Sequence, residues 1–329
     1  MMDFDRLFDS FKDLRVAVIG DVMLDTYWWG KVDRISPEAP VPIVAVSKRE
    51  ERIGGAGNVA LNVQALGATV SVISVVGNDA EAGMLVNLFK QNHINTDYVV
   101  SSADRITTNK IRIIGRNQQM MRLDAEIVNP LSVTDEQALL ASFENYISKE
   151  KPAIVILEDY NKGVLTETAI EKIIALCRAN NILTAVDPKR KNFFSYKQVD
   201  IFKPNLQEAK EGLNLLADGV TPALMEEIHQ ALHEKLGHSI SLITLSEKGV
   251  FYQHDNQHKI IPTHIRSIAD VSGAGDTVIA VASVVYASTK DVCLMAEISN
   301  IAGGLVCEEV GTVAINRQQL LEECKRLLG

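Results

Sequence analysis

The sequence predicts an α/β fold: a doubly wound, mostly parallel sheet covered by helices, with a small β-sheet set apart as a lid. Three observations predict it. After residue 130, short apolar runs alternate with helical stretches, which is the rhythm of βαβ units. Residues 14–20 form an apolar run ending in Gly20, as a buried parallel strand feeding a loop does. Two excursions, at about 31–50 and 97–125, are β-rich and break the rhythm.

The elements follow in order. The loop after the first strand carries Asp21 and Asp25. Residues 31–49 hold Pro37, Pro40 and Pro42 and then alternate through Val46, a pattern for edge strands. Residues 54–67 are Gly-rich and then helical: Val59, Asn62, Val63 and Leu66 keep helical spacing and Gly67 ends the run. A second parallel strand is expected at 70–76 and a helix at 80–92. Residues 107–114 alternate and 120–124 return as a partner strand. Further strands are expected at 153–157, 184–186, 201–203 and 242–245, with helices at 134–150, 166–180 and 222–236. Ligands of such sheets bind beyond the carboxyl ends of the strands. The functional loops therefore start at Asp21, Gly77, Glu158 and Asp159, Asp187, Pro204 and Asn205, and Ser246.

The chain of 329 residues is 47% hydrophobic and 23% charged, which excludes general disorder and fits one domain over 1–329. Its net charge of −9 gives no global attraction to nucleic acid or anionic lipid. Cys177, Cys293, Cys307 and Cys324 form no C-x-x-C pair and read as reduced thiols. The start of the chain is acidic, and the longest apolar run, 278–287, is about half of a membrane span. A soluble cytoplasmic protein with no nucleic-acid or membrane partner is expected. His229 and His233 share a helix face, but no H-E-x-x-H pattern accompanies them. They read as surface residues.

The chemistry concentrates in residues 269–277, Ala-Asp-Val-Ser-Gly-Ala-Gly-Asp-Thr, ahead of an apolar helix. Small residues there let backbone N–H groups converge at the helix N-terminus, which favours anions. Asp276 is then either an ordinary helix-start acid, worth about 0.3–1 kcal/mol, or a general base beside a phosphate nest. The chain has no Gly-x-x-x-x-Gly-Lys-Ser/Thr loop. Gly20-Asp21-Val22-Met23 does not fit a dinucleotide-binding turn, so an oxidoreductase reading has no support.

Gly273-Ala274-Gly275-Asp276 resembles the C-terminal signature of the ribokinase-like (PfkB) sugar kinases. Gly54-Gly55-Ala56-Gly57-Asn58-Val59-Ala60, followed by Gly67 and Gly77, resembles their N-terminal signature. Val281 departs from the pattern, which prefers Ala or Gly there. Within the family, the Gly20–Asp25 segment, residues 34–42, Arg116-Asn117-Gln118-Gln119, Asp159-Tyr160, Lys162-Gly163 and Asp187-Pro188-Lys189 resemble the kinases of D-glycero-β-D-manno-heptose 7-phosphate. The likeness runs from about residue 14 to 316.

The resemblance implies a three-layer α/β/α sandwich with a β-lid. It implies Asp276 as base, with the N–H groups of Gly273, Ala274 and Gly275 as an anion hole. Gly54, Gly55, Asn58, Asp21 and Asp25 would meet the sugar, and Arg116, Lys162 and Lys189 its 7-phosphate. Thr244, Ser246, Gly249, Asn300 and Gly303 would meet ATP. Asn205 and Glu208 would organise Mg²⁺ through water and phosphate; the same pair also reads as a capping box. The Asp270–Ser272 loop is compatible with the K⁺ that some relatives use. A homodimer through the lid is implied, as is transfer of phosphate to the anomeric hydroxyl for ADP-heptose and lipopolysaccharide core synthesis. The chain has no His-x-Gly-His motif, so it reads as the kinase without the adenylyltransferase often fused to it. Two alternatives stay open: another sugar kinase of the family, and a non-catalytic sugar- or nucleotide-sensing module.

Overall fold

A computed structural model describes every residue except Met1, Arg116, Asn117, Asp218 and Ile265. The main sheet has nine strands. In chain order these are β1 (Arg15–Gly20), β4 (Thr69–Gly77), β5 (Asn95–Ser102), β8 (Ile154–Glu158), β9 (Leu183–Asp187), β10 (Ile201–Phe202), β11 (Ile240–Thr244), β12 (Val250–His254) and β13 (Gln257–Ile261). Their spatial order is β13-β12-β11-β10-β9-β8-β1-β4-β5. The ladders from β11 across to β5 are parallel, whereas β12 and β13 add an antiparallel edge. The chain first moves from β1 toward β5 and later from β8 the other way, so the strand order reverses beside β1. That is where a crevice opens in such sheets.

Strict alternation builds the two cores. On β1, Val16 and Val18 face one side and Ala17 and Ile19 the other. The first side packs against α1 (Phe4–Ser10), α2 (Ala56–Ala65), α3 (Ala80–Gln91), α8 (Ala274–Thr289), α9 (Val292–Val306) and α10 (Arg317–Leu328). The second packs against α4 (Val133–Glu150), α5 (Glu167–Ala179), α6 (Leu206–Leu213) and α7 (Pro222–Leu236). Three layers result, as the sequence predicts.

The lid is a four-stranded sheet of β2 (Val22–Ile35), β3 (Pro42–Gly55), β6 (Asn109–Gly115) and β7 (Gln118–Ala125), in the order β3-β2-β6-β7. Its extent differs from the expected 31–50 and 97–125. The first strand starts straight after β1, so Asp25 lies on a strand and not in a loop. Asn95–Ser102 pairs with β4 and belongs to the main sheet. Neither boundary carries a proline or glycine break that sequence could use.

The two histidines expected on a helix surface also differ. His229 is buried, and its Nδ1 lies 2.9 Å from Ser241 Oγ, which lies 2.6 Å from His238 Nε2. Burial, aided by the neighbouring imidazoles, holds His229 down at about 4 and His238 at about 3. The unfolded chain takes up these protons near 6.5 and the folded one does not. Stability is therefore fully present above about 6.5 and falls as pH drops toward 4. The expected loss between pH 7 and 5 is on the order of 2 kcal/mol. Denaturant midpoints at the two pH values check it, and a His238→Asn variant should show a flatter dependence.

Candidate active site

The same alternation aims the site. Beyond Ile156 on β8 comes Glu158, beyond Ala185 on β9 comes Asp187, and beyond Ile201 on β10 comes Lys203. All three continue the row that faces α8. Glu158 and Asp187 are neighbours in register. The N-terminus of α8 meets them with Asp276 in its first turn. Oxygens of Glu158, Asp187 and Asp276 lie within 4.8 Å of one another, and all three residues are buried.

Asp276 is held at both oxygens. Asn58 Nδ2 donates to Oδ2 at 2.7 Å and Tyr160 Oη donates to Oδ1 at 2.7 Å. Burial pushes its carboxyl up to about 6, against the pull of these two donors. Asn58 is carried by α2, which is tied to α8 by Thr277 Oγ1 donating to Asn62 Oδ1 at 3.0 Å. Gly273 caps α8 at φ 79°. A Cβ there would stand 2.9 Å from Asn58 Nδ2, so both the turn and the close approach require glycine.

The charges balance pairwise. Lys203 Nζ lies 2.8 Å from Asp187 Oδ2, and Lys189 Nζ lies 3.1 Å from Asp187 Oδ1 and 2.8 Å from Glu208 Oε1. Burial alone would raise Asp187, but the two ammoniums hold it below the usual carboxylate range. Glu158 has no hydrogen-bond partner at either oxygen among the described residues. Burial, with Asp187 and Asp276 beside it, pushes its acid form well up. Because both Asp187 oxygens carry ammoniums and both Asp276 oxygens carry hydrogen bonds, the trio is a buried charge network and not a cation cradle.

A cleft of about 1580 Å³ opens over this network. Gly273, Ala274, Gly275 and Asp276 line one wall. Asn205, Glu208, Thr244, Ser246 and Gly249 line another, and Asn300 and Gly303 the far end. The structure thus gathers the residues expected at the nucleotide. Their local forms are also the plain ones. Asn205 and Glu208 make a complete capping box, and Thr244 to Gly249 turn the antiparallel β11–β12 hairpin. Lys189 lines this same cleft.

The residues expected at the sugar lie on the lid side. The Asp21 carboxylate accepts the backbone N–H groups of Tyr160, Lys162 and Val164 at 2.8, 3.0 and 3.0 Å. Its oxygens are thereby spent on the loop after β8. Asp25 pairs with Arg112 across β2 and β6. Gly54 and Gly55 end β3 beside Asp25 and Asp21; a Cβ on Gly54 would stand 2.2 Å from Asp25 Oδ2. Lys162 pairs with Glu126 at 2.6 Å. The three cations expected around one phosphate are therefore not together: Lys162 is on the lid side, Lys189 is in the cleft, and Arg116 lies outside the described residues. Asp270 Oδ1 accepts from Ser272 N–H and Oδ2 from Gly311 N–H.

Sequence reading missed Tyr160, Lys203 and the placement of Glu158 against Asp276. The alternation of the strands, carried one step past each apolar run, was the available signal for the last two. Nothing local marks Tyr160.

A carboxylate in the first turn of a helix, buried ammoniums beside it and a deep cleft at a strand-order reversal equip a phosphoryl-transferring enzyme. Residues 13–319 match the model described as pfkB family carbohydrate kinase, and the chain belongs to that family. It is an ATP-dependent sugar phosphotransferase of ribokinase-like fold. It is 38% identical over 308 residues to the bifunctional protein HldE of Sulfurimonas denitrificans, covering 94% of this chain and 64% of that protein. It is 39% identical over 312 residues to HldE of Methylobacillus flagellatus, covering 94% and 62%. The chain thus spans less than two thirds of these relatives. In fold it resembles phosphofructokinase-2 of Escherichia coli in complex with potassium (TM-score 0.77, 16% identity, 95% and 99% covered). It likewise resembles Arabidopsis thaliana ribokinase complexed with ribose and ATP (TM-score 0.71, 16% identity, 94% and 99% covered).

Proposed function

We propose that the chain transfers the γ-phosphoryl group of ATP to the anomeric hydroxyl of D-glycero-β-D-manno-heptose 7-phosphate. The product is the 1,7-bisphosphate, which would feed ADP-heptose and lipopolysaccharide core synthesis. The observation that carries the reading is Asp276, held by two donors at the mouth of the cleft, in a chain so similar to HldE. In the step, the sugar O–H proton passes to the Asp276 carboxylate. The freed oxygen bonds to Pγ, the bond from Pγ to the β,γ-bridging oxygen breaks, and ADP leaves with that electron pair. Charge on the equatorial oxygens is met by the N–H groups of Gly273, Ala274 and Gly275 and by the ammoniums of Lys189 and Lys203.

Mg²⁺ fits the cleft's donor chemistry through water. Glu208 Oε2 accepts the Asn205 N–H and Oε1 pairs with Lys189, so a metal contact there runs by way of water and phosphate. When bound, Mg²⁺ neutralises the phosphates. The Asp270 loop is the place for K⁺. Exposed Ile35, Val41, Val46, Met120, Met121 and Leu123 on or beside the lid strands support a homodimer through that sheet. Among the described residues no helix is long and apolar enough to cross a membrane, in keeping with a cytoplasmic enzyme.

The test is ATP consumption with heptose 7-phosphate, the unphosphorylated heptose, fructose 6-phosphate, fructose and ribose. A strong preference for heptose 7-phosphate is expected; equal or better turnover of another acceptor overturns the assignment. The two lysines should separate. Lys162→Ala raises the KM of the sugar phosphate about tenfold and leaves that of ATP within twofold, whereas Lys189→Ala acts on ATP. The reverse pattern in initial-rate kinetics would place the distal phosphate in the cleft.

A further inference from the structure

Tyr160 sits where the two halves of the site meet. Its backbone N–H donates to Asp21 and its hydroxyl to Asp276. Its ring lies between two ammoniums, with Lys110 Nζ 5.6 Å and Lys189 Nζ 5.9 Å from the centroid. Lys110 comes from lid strand β6. Lys189 lines the cleft. Each contact constrains a different freedom of the side chain: the loop anchor fixes the backbone, the ammoniums fix the ring, and the carboxylate fixes the hydroxyl.

The phenol hydroxyl is a donor at every working pH. Burial, with Asp276 and Glu158 nearby, raises its pKa well above the ordinary value. Asn58 and Tyr160 together give the carboxylate a two-point hold from two elements, which leaves only the remaining lone pairs for an acceptor hydroxyl. A base held this way does not need to reorganise when the substrate arrives.

We propose that Tyr160 is a positioning residue for the base, fixing the orientation of the Asp276 carboxylate and stabilising its ionised form through the bond to Oδ1. The proposal rests on the reading of Asp276 as the base. The other charged groups about that carboxylate are Glu158 at the end of β8, Asp187 at the end of β9, Lys189 just beyond it and Lys203 after β10. None of them donates a hydrogen bond to Oδ1.

The experiment is Tyr160→Phe, which keeps the ring and removes only the hydroxyl. A neutral donor lost from a carboxylate makes that carboxylate more basic. The acid limb of kcat/KM should therefore move up by about half to one pH unit. The kcat should fall about tenfold with the sugar KM within twofold. An acid limb that stays in place overturns the proposal, whatever happens to kcat, since a merely structural phenol would not move it. Should the Phe variant fold poorly, 3-fluorotyrosine at position 160 is a stronger donor of the same shape and should move the limb downward; no movement again overturns the proposal. Asp276→Asn in parallel keeps the two readings apart. Normal turnover in that variant removes the base itself, while a dead Asp276→Asn with an unmoved limb in Tyr160→Phe removes only the role of Tyr160.

Discussion

Asp276→Asn should lower kcat by about 10²–10⁴-fold while nucleotide affinity stays within a few fold. The carboxamide is nearly isosteric. It can still accept from Asn58, and Tyr160 can turn its hydroxyl to accept from the new amide, so the fold is kept. What is lost is the lone pair that takes the sugar proton. The wild-type enzyme carries a second signature of the same group. Its rate should fall as pH drops through about 6, because burial holds the Asp276 carboxyl there and the protonated acid cannot accept. Full turnover in the variant, or a wild-type profile flat from pH 7 to 5, would mean that another group takes the proton.

Asp21→Ala should be among the most destabilising single changes, costing about 3–5 kcal/mol. The Asp21 side chain is buried and accepts three backbone N–H groups from one loop. Removing it orphans all three donors at once, each worth about 1–3 kcal/mol when left unpaired in a buried place. Tyr160 belongs to that loop, so kcat should fall together with the denaturant midpoint. A normal midpoint with a raised sugar KM would instead make Asp21 a direct sugar ligand, the role expected from sequence.

The comparison of these two aspartates shows what sequence can carry. Asp276 was found because the glycines before it and the apolar helix after it are local signals, and the nest they form is local too. The parallel strands were legible for the same reason: buried strands read as apolar runs. Asp21 was located but its partners were not, because the N–H groups that it accepts lie about 140 positions away. The lid boundary at Val22 was invisible because Met23 and Leu24 are as apolar within the lid strand as they would be in the main sheet. The 7-phosphate set failed on similar grounds: Lys162 and Lys189 are close in sequence, yet one follows β8 and the other β9, and the two ammoniums find different acids. Charge and neighbours in the chain do not say which side of a sheet's crevice a residue will face.

The tie between α2 and α8 has a consequence for how the chain matures. Asn58 and Asp276 are 218 positions apart, and Asn62 Oδ1 also accepts the N–H of Ile315, 253 positions on. Contacts of such separation form only after the entropy of closing very long loops has been overcome. The central strands and their local helices can order first, and the hold on the base is then among the last features to form. Recovery of turnover after dilution from denaturant should lag recovery of helical signal, so that activity reports completed folding where circular dichroism does not.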